Sequence, residues 1–273
     1  MRTPRSLVLC ADDYAQGAGV SGAIRALAAQ GRLTATSAMV LSPRWREDAA
    51  ALAPLRDRLD VGLHLDWTSA FAIAAGHGLP LARAMRRALL GGFDRERART
   101  VIERQLDAFE AHWHAAPDHV DGHQHVQQFA GIRETLVATL ARRYGARPPW
   151  LRIARAPAGQ RSVKSRIIAL MGADTLESIA AGAGVPCAKW LSGIYDFQGG
   201  EAAYARRMAR WLAGSPQASV LMCHPGSSTP ADRDDPIAPA RAWEYAHLAS
   251  PDFARQMAAA GVTLERGSAL LRH

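Results

Sequence analysis

The segment SLVLCADD, residues 6–13, is an apolar run that stops abruptly in two acids. Residues 6–11 hold almost nothing polar, which reads as a buried strand ending at Asp12 and Asp13. A strand buried on both faces belongs to a parallel sheet covered by helices. Outward from it the same grammar repeats. Residues 20–30 carry apolar positions at helical spacing, with Gly31 placed to stop the helix. Further strands are predicted at 36–41, 60–65, 119–121, 150–153 and 218–223, and further helices at 45–55, 101–113, 132–144 and 202–212. Strand–helix alternation at this spacing predicts an α/β fold with mostly parallel strands, open or closed into a barrel. Residues 1–273 read as a single domain; 154–161 look like a loop rather than a boundary, and 70–81 like an active-site loop.

The chain is long enough for a full core, and 48% hydrophobic content excludes a disordered chain. Neither a glycine in every third place nor a sustained heptad is present, which excludes collagen and long coiled coils. The formal net charge is +8, and with Lys164 and Lys189 the only lysines, arginine supplies nearly all of it. These arginines, such as Arg95, Arg97, Arg99 and Arg104, scatter through helical-looking segments. That favours a solvated surface over a nucleic-acid footprint, with an acidic substrate or a membrane surface as the remaining readings. Cys10, Cys187 and Cys223 are odd in number and far apart, so no disulfide framework is expected. The apolar run near Met1 is too short for a secretory signal or a membrane span, so the expected location is cytoplasmic, without stable membrane insertion.

Chemically capable residues cluster where the strands end: Asp12 and Asp13, His64, Asp121 and His123, Arg152, and His224. In parallel α/β folds the carboxyl edge is where ligands bind. Adjacent residues of an extended strand face opposite ways, so Asp12 and Asp13 can have different tasks, one binding a metal and the other taking a proton. A turn or helix N-cap is the plainer use of such a pair. His64, in VGLHL, is either a hydrogen-bonded core histidine or a ligand. In DGHQHV, His123 and His125 could face one cavity, with Asp121 orienting an imidazole from behind. Two histidines and a carboxylate suit a divalent metal with open positions for water and substrate. His224 precedes Pro225-Gly226 and is either a proton donor or a turn residue, and Arg152 among apolar neighbours needs a carboxylate partner.

Other machinery is missing from the sequence: there is no nucleophile elbow, zincin helix, Walker loop or Cys-x-x-Cys pair. Gly17-Ala-Gly19-Val-Ser-Gly22 matches a dinucleotide fingerprint, but the 36–41 strand offers no acid for a ribose. Cys10 and Cys223 adjoin apolar strand residues and should stay protonated, which argues against a thiol nucleophile.

Taken in order, Ala11-Asp12-Asp13-Tyr14, Thr36-Ser37, VGLHL at 61–65, DGHQHV at 121–126 and Cys223-His224-Pro225-Gly226 resemble the YdjC-like (ChbG/HpnK) carbohydrate deacetylases over about residues 5–265. The resemblance implies a distorted, TIM-like (β/α) barrel that removes acetyl from an N-acetylated sugar, releasing acetate and a sugar amine. By position it implies one divalent ion, Mg2+ or Zn2+, on Asp13, His64 and His123. Asp12 would be the general base, oriented by Arg152, and a protonated His224 the general acid. His125, Asp121, Tyr14 and Trp67 would contact substrate. Tyr14-Ala15 stands where Phe-Gly is usual and Gly122 where serine is common, and neither removes a needed functional group. The loop 66–69 departs more, so the sugar stays open between a chitooligosaccharide, a nucleotide sugar and a lipid-linked glycan. The expected partner is that glycoconjugate, with no nucleic acid and a homo-oligomer allowed. The competing readings are another metal hydrolase, such as a phosphoesterase, and a non-catalytic sugar-binding protein.

Overall fold

A computed structural model describes residues 4–227 and 235–271. Strand β1 (Arg5–Tyr14) is the longest and lies inside the sheet. It is followed by α1 (Ala18–Ala29), β2 (Ala35–Ala38), α2 (Trp45–Leu52) and β3 (Asp60–Leu65). Next come α3 (Ala70–Ala74), α4 (Leu81–Leu89), α5 (Arg95–Trp113), β4 (His119–Gly122), α6 (Ile132–Tyr144) and β5 (Trp150–Arg152). The chain continues through α7 (Val163–Leu170), α8 (Ala173–Gly182), β6 (Cys187–Ala188), β7 (Leu191–Ser192), α9 (Gly200–Gly214) and β8 (Val220–Cys223). It closes with α10 (Ala238–Ala249), α11 (Pro251–Ala260), β9 (Val262–Leu264) and α12 (Gly267–Leu270).

Every pairing is parallel, in the order β6-β5-β4-β3-β2-β1-β8-β7, with β9 added against the start of β1. The two edge strands follow one another directly in sequence. Leu191 N donates to Arg155 O at 2.8 Å, which carries the seam across from the β5 side. The result is a sheet nearly closed into a (β/α) barrel. Among the described residues no helix is long and apolar enough to cross a membrane.

The period of two along each strand sorts the side chains into two layers. Leu7, Leu9, Val61, Leu63, Val120 and Leu151 face outward into the core shared with the helices. Val8, Cys10, Ala35, Trp150, Val220 and Met222 face the barrel interior. By the same parity Asp12, Ser37, His64, Asp121 and Arg152 sit on the interior side, toward the carboxyl end. The interior has little room. A Cβ on Gly62 would lie 2.4 Å from the His119 ring, which stacks on Trp150 with centroids 4.3 Å apart.

The structure differs from the sequence expectations in identifiable places. The helix expected at 45–55 ends at Leu52, because Pro54 turns the chain into a short 3-10 turn. The strand expected at 36–41 ends at Ala38. The supposed active-site loop at 70–81 contains α3, capped by the Ser69 side chain, and contributes only Leu81 to the cavity described below. β6, β7 and β9 are too short to leave a periodic signal.

Candidate functional site

A cavity of about 600 Å³ opens at the carboxyl ends of the strands, and Asp12, Asp13, His64, His123, His125 and His224 are on its wall. Two local backbone devices bring them together. Strict alternation would send Asp12 and Asp13 to opposite faces. Between Ala11 and Tyr14 the β1–β2 register shifts, and Asp13 takes a left-handed φ of 68°, which turns its side chain to the same cavity as Asp12. After β4, Gln124 and His125 take φ of 53° and 64° in succession, and the tight turn sets His123 and His125 on one wall. Residues other than glycine held in this region tend to cluster at functional sites.

Asp13 Oδ1 lies 3.4 Å from His64 Nε2 and 3.1 Å from His123 Nδ1. The ligand atoms of these three residues all fall within 4.8 Å of one another. His64 Nδ1 donates to Asp121 Oδ1 at 2.6 Å, so its Nε2 is left facing Asp13. Behind it, Ser37 Oγ bonds both Asp121 Oδ2 and His119 Nε2. A carboxylate gripping the far nitrogen of a ligating imidazole fixes its tautomer and ring orientation. The donor set therefore fits a divalent ion: one carboxylate and two imidazoles on a cavity that leaves positions for water and substrate. Two other clusters, Cys10–His119–Asp121 and Asp12–His64–Asp121, are equally tight. The first does not reach the cavity. In the second, both carboxylates are already taken by Arg152.

Arg152 is fully buried and grips Asp12 with two bonds, Nη1 to Oδ1 at 2.7 Å and Nη2 to Oδ2 at 2.8 Å. Its Nη2 also lies 3.1 Å from Asp121 Oδ2. One guanidinium thus aligns the candidate base and the group behind His64. Asp13 has its own cation: Arg241 Nη2 donates to Asp13 Oδ2 at 2.8 Å and to Gln16 Oε1 at 2.9 Å, while its Nε bonds Asp235. Burial alone would raise the Asp13 carboxyl, but Arg241, with His123 and His64, overrides it and holds the group well below the usual range. Burial opposes a charged His64 too; Asp121 and Asp12 outweigh it and lift the imidazole to about 10, so without a cation the ring carries a proton between two acids.

His224 Nε2 lies 3.9 Å from Asp12 Oδ2 across the cavity. Its backbone N–H donates to Glu244 Oε2 at 2.6 Å, and Glu244 Oε1 accepts from Tyr195 Oη at 2.7 Å. Burial pushes His224 down to about 4 and Glu244 up to about 7. Burial thus works against the imidazolium expected at position 224. Burial also raises the Cys10 and Cys223 thiols well above their ordinary range, in keeping with inert core residues.

Three expected substrate contacts are not on the cavity wall. Tyr14 is fully buried, and its hydroxyl donates to Asp48 O at 2.7 Å. Trp67 packs edge-on against His77 and Phe93 in the core, and Asp121 is sealed behind His64. Tyr14 and Trp67 are packed into the core, while Asp121, on the interior side of the barrel, lies one layer below the opening. The sequence reading also missed Arg241 and Glu244. Both sit on α10, where an arginine and a glutamate look like ordinary surface residues, and no local signal distinguishes them.

A family model described as YdjC-like protein matches residues 6–259. No curated protein matches the sequence. Among solved structures, a candidate cellobiose-phosphate cleavage protein from Enterococcus faecalis V583 superposes with a TM-score of 0.75 at 18% identity, covering 98% of this chain and 100% of that one. A deacetylase solved with substrate gives 0.45 at 11% identity, covering 98% and 90%. A mutant CE4 family pseudoenzyme with restored enzymatic activity gives 0.46 at 10%, covering 99% and 68%. The first likeness establishes a shared fold; the other two superpose too loosely to bear on function. With the family model spanning nearly the whole chain, the protein belongs to the YdjC-like family.

Proposed function

We propose that the protein is a metal-dependent hydrolase that removes an acetyl group from an N-acetylated sugar. The observation that carries this reading is the convergence of Asp13, His64 and His123 on one point of the cavity, 3.1 to 3.4 Å apart at Asp13 Oδ1, beside a carboxylate that Arg152 holds from behind. The resemblance of the motifs to carbohydrate deacetylases supplies the substrate class.

Asp13, His64 and His123 would hold the divalent ion, Mg2+ or Zn2+, and Asp121 would keep His64 Nε2 turned toward it. A bound ion supplies Lewis acidity toward a water and the acetyl carbonyl. Loading it requires His64 to give up the proton it shares with its two acids. Asp12, its two oxygens fixed by Arg152, would take a proton from the attacking water. His224 Nε2 and Asp12 Oδ2 face one another across the cavity at 3.9 Å. His224 would therefore receive a proton during the reaction and pass it to the departing sugar nitrogen. The amide C–N bond breaks, and acetate and a free amine leave. His125, neutral through burial and on the same wall, would contact substrate.

Acetate release measured over a panel of N-acetyl sugars, with phosphate esters alongside, tests the proposal on metal-stripped and reconstituted protein. Acetate formed only after reconstitution supports it. Phosphate released in place of acetate would assign the site to a phosphoesterase. Stoichiometric ion uptake with no product from any substrate would favour a binding protein.

A further inference from the structure

Two helices that contribute to the cavity wall, α4 and α7, carry apolar residues out of the site and onto the surface. On α4 the stripe is Leu81, Met85 and Leu89, one residue per turn; the first two line the cavity and Leu89 is 67% exposed. On α7 it is Val163, Ile167 and Leu170; the first two line the cavity, and exposures are 76%, 46% and 83%. Leu90, just past α4, adds a side chain 79% exposed. Single exposed leucines are ordinary, but two stripes joined through one opening are not.

The charge around the stripes selects their partner. Neither α4 nor α7 contains an acid, and Arg83, Arg86, Arg161 and Arg166 are exposed beside the apolar positions. On other faces some arginines are paired with acids, as Arg142 and Arg143 are with Glu103 and Arg155 with Asp174. A second copy of the chain laid on this face would bring its own arginines against these. An anionic lipid surface would accept the apolar stripes and neutralise the arginines together, the combination that binds interfacial helices. The geometry points to the α4–α7 rim as a peripheral docking surface for anionic bilayers, with the cavity opening toward the headgroups. This surface stands independently of the reaction proposed above, because its test reads binding and not turnover.

The experiment is co-sedimentation of the full chain with vesicles of phosphatidylcholine alone and of phosphatidylcholine with phosphatidylglycerol in equal parts. The variants use only residues off the cavity wall. One combines Leu89→Ser, Leu90→Ser and Leu170→Ser; the other combines Arg83→Gln, Arg86→Gln and Arg166→Gln. The expected result is binding to the anionic vesicles that weakens with salt. The arginine variant should lose about a hundredfold in partitioning, at about fivefold for each basic residue at an anionic surface, and the leucine variant should lose at least as much. Absence of binding to anionic vesicles overturns the proposal, as does binding that both variants retain. A wild-type dimer that the leucine variant dissolves, seen by analytical ultracentrifugation, also overturns it, because the stripes would then be covered by a second copy.

Discussion

Replacing Asp121 by asparagine tests the support of the candidate metal centre without touching its ligands. The native carboxylate does two jobs at once. Oδ1 accepts from His64 Nδ1 at 2.6 Å, and Oδ2 accepts from Ser37 Oγ and lies 3.1 Å from Arg152 Nη2. Asparagine keeps the shape but offers one acceptor oxygen. If that oxygen faces His64, the amide N–H groups point at the donors of Arg152, and a buried guanidinium loses a partner. If the amide is flipped, its N–H demands a bare Nδ1, which moves the imidazole proton to Nε2, the atom 3.4 Å from Asp13 Oδ1. Nε2 is then no longer free to ligate. Loss of such a supporting carboxylate typically weakens a metal site about 10- to 100-fold, which is about 1.4 to 2.7 kcal/mol. Titration calorimetry with Zn2+ at fixed pH, or competition with a chelator, measures it, with circular dichroism to check the fold. An Asp121→Asn protein that binds the ion as tightly as the wild type would refute the assignment of His64 as an oriented ligand.

Asp12→Asn should bind the ion undiminished while losing at least about 100-fold in turnover, the usual worth of a general base, whereas His64→Ala should lose ion and activity together; full turnover in Asp12→Asn removes Asp12 from that role. Gly62→Ala would set a Cβ 2.4 Å from the His119 ring and should cost about 1 to 3 kcal/mol of stability, read from the urea midpoint; an unchanged midpoint means the barrel interior is looser than described. Glu244 is raised by burial from 4.5 to about 7, so the stability tied to its neutral form is complete below pH 4.5 and is lost as pH rises through about 7. Urea unfolding at both ends of that window should show Glu244→Gln gaining on the wild type by about 3 kcal/mol with rising pH; a gap that stays constant would contradict a buried, neutral-preferring carboxyl.

Much of this arrangement was readable from residue patterns alone. The apolar runs that end in Asp12, His64, Asp121, Arg152 and the Cys223–His224 step announced parallel strands with chemistry at their carboxyl tips, because burial on both faces leaves polarity nowhere else to resume. Strand alternation was readable too, but only the fold decided that the even-numbered residues of β1 face inward, the parity that lets Asp12 meet Arg152. Alternation could not anticipate Asp13, whose left-handed backbone breaks that parity.

Local preferences, then, determined the order of elements, the edge on which the functional groups gather, and which histidines and acids were worth watching. Tertiary structure alone decided who pairs with whom. Asp12 and Arg152 are 140 residues apart, and Asp13 and Arg241 are 228 apart. It also sealed Tyr14 and Trp67 into the core and made Glu244 a buried support of His224. The physical reason is that backbone conformation answers to neighbours a few residues away, while the partner and burial of a charged side chain depend on strand register and helix packing.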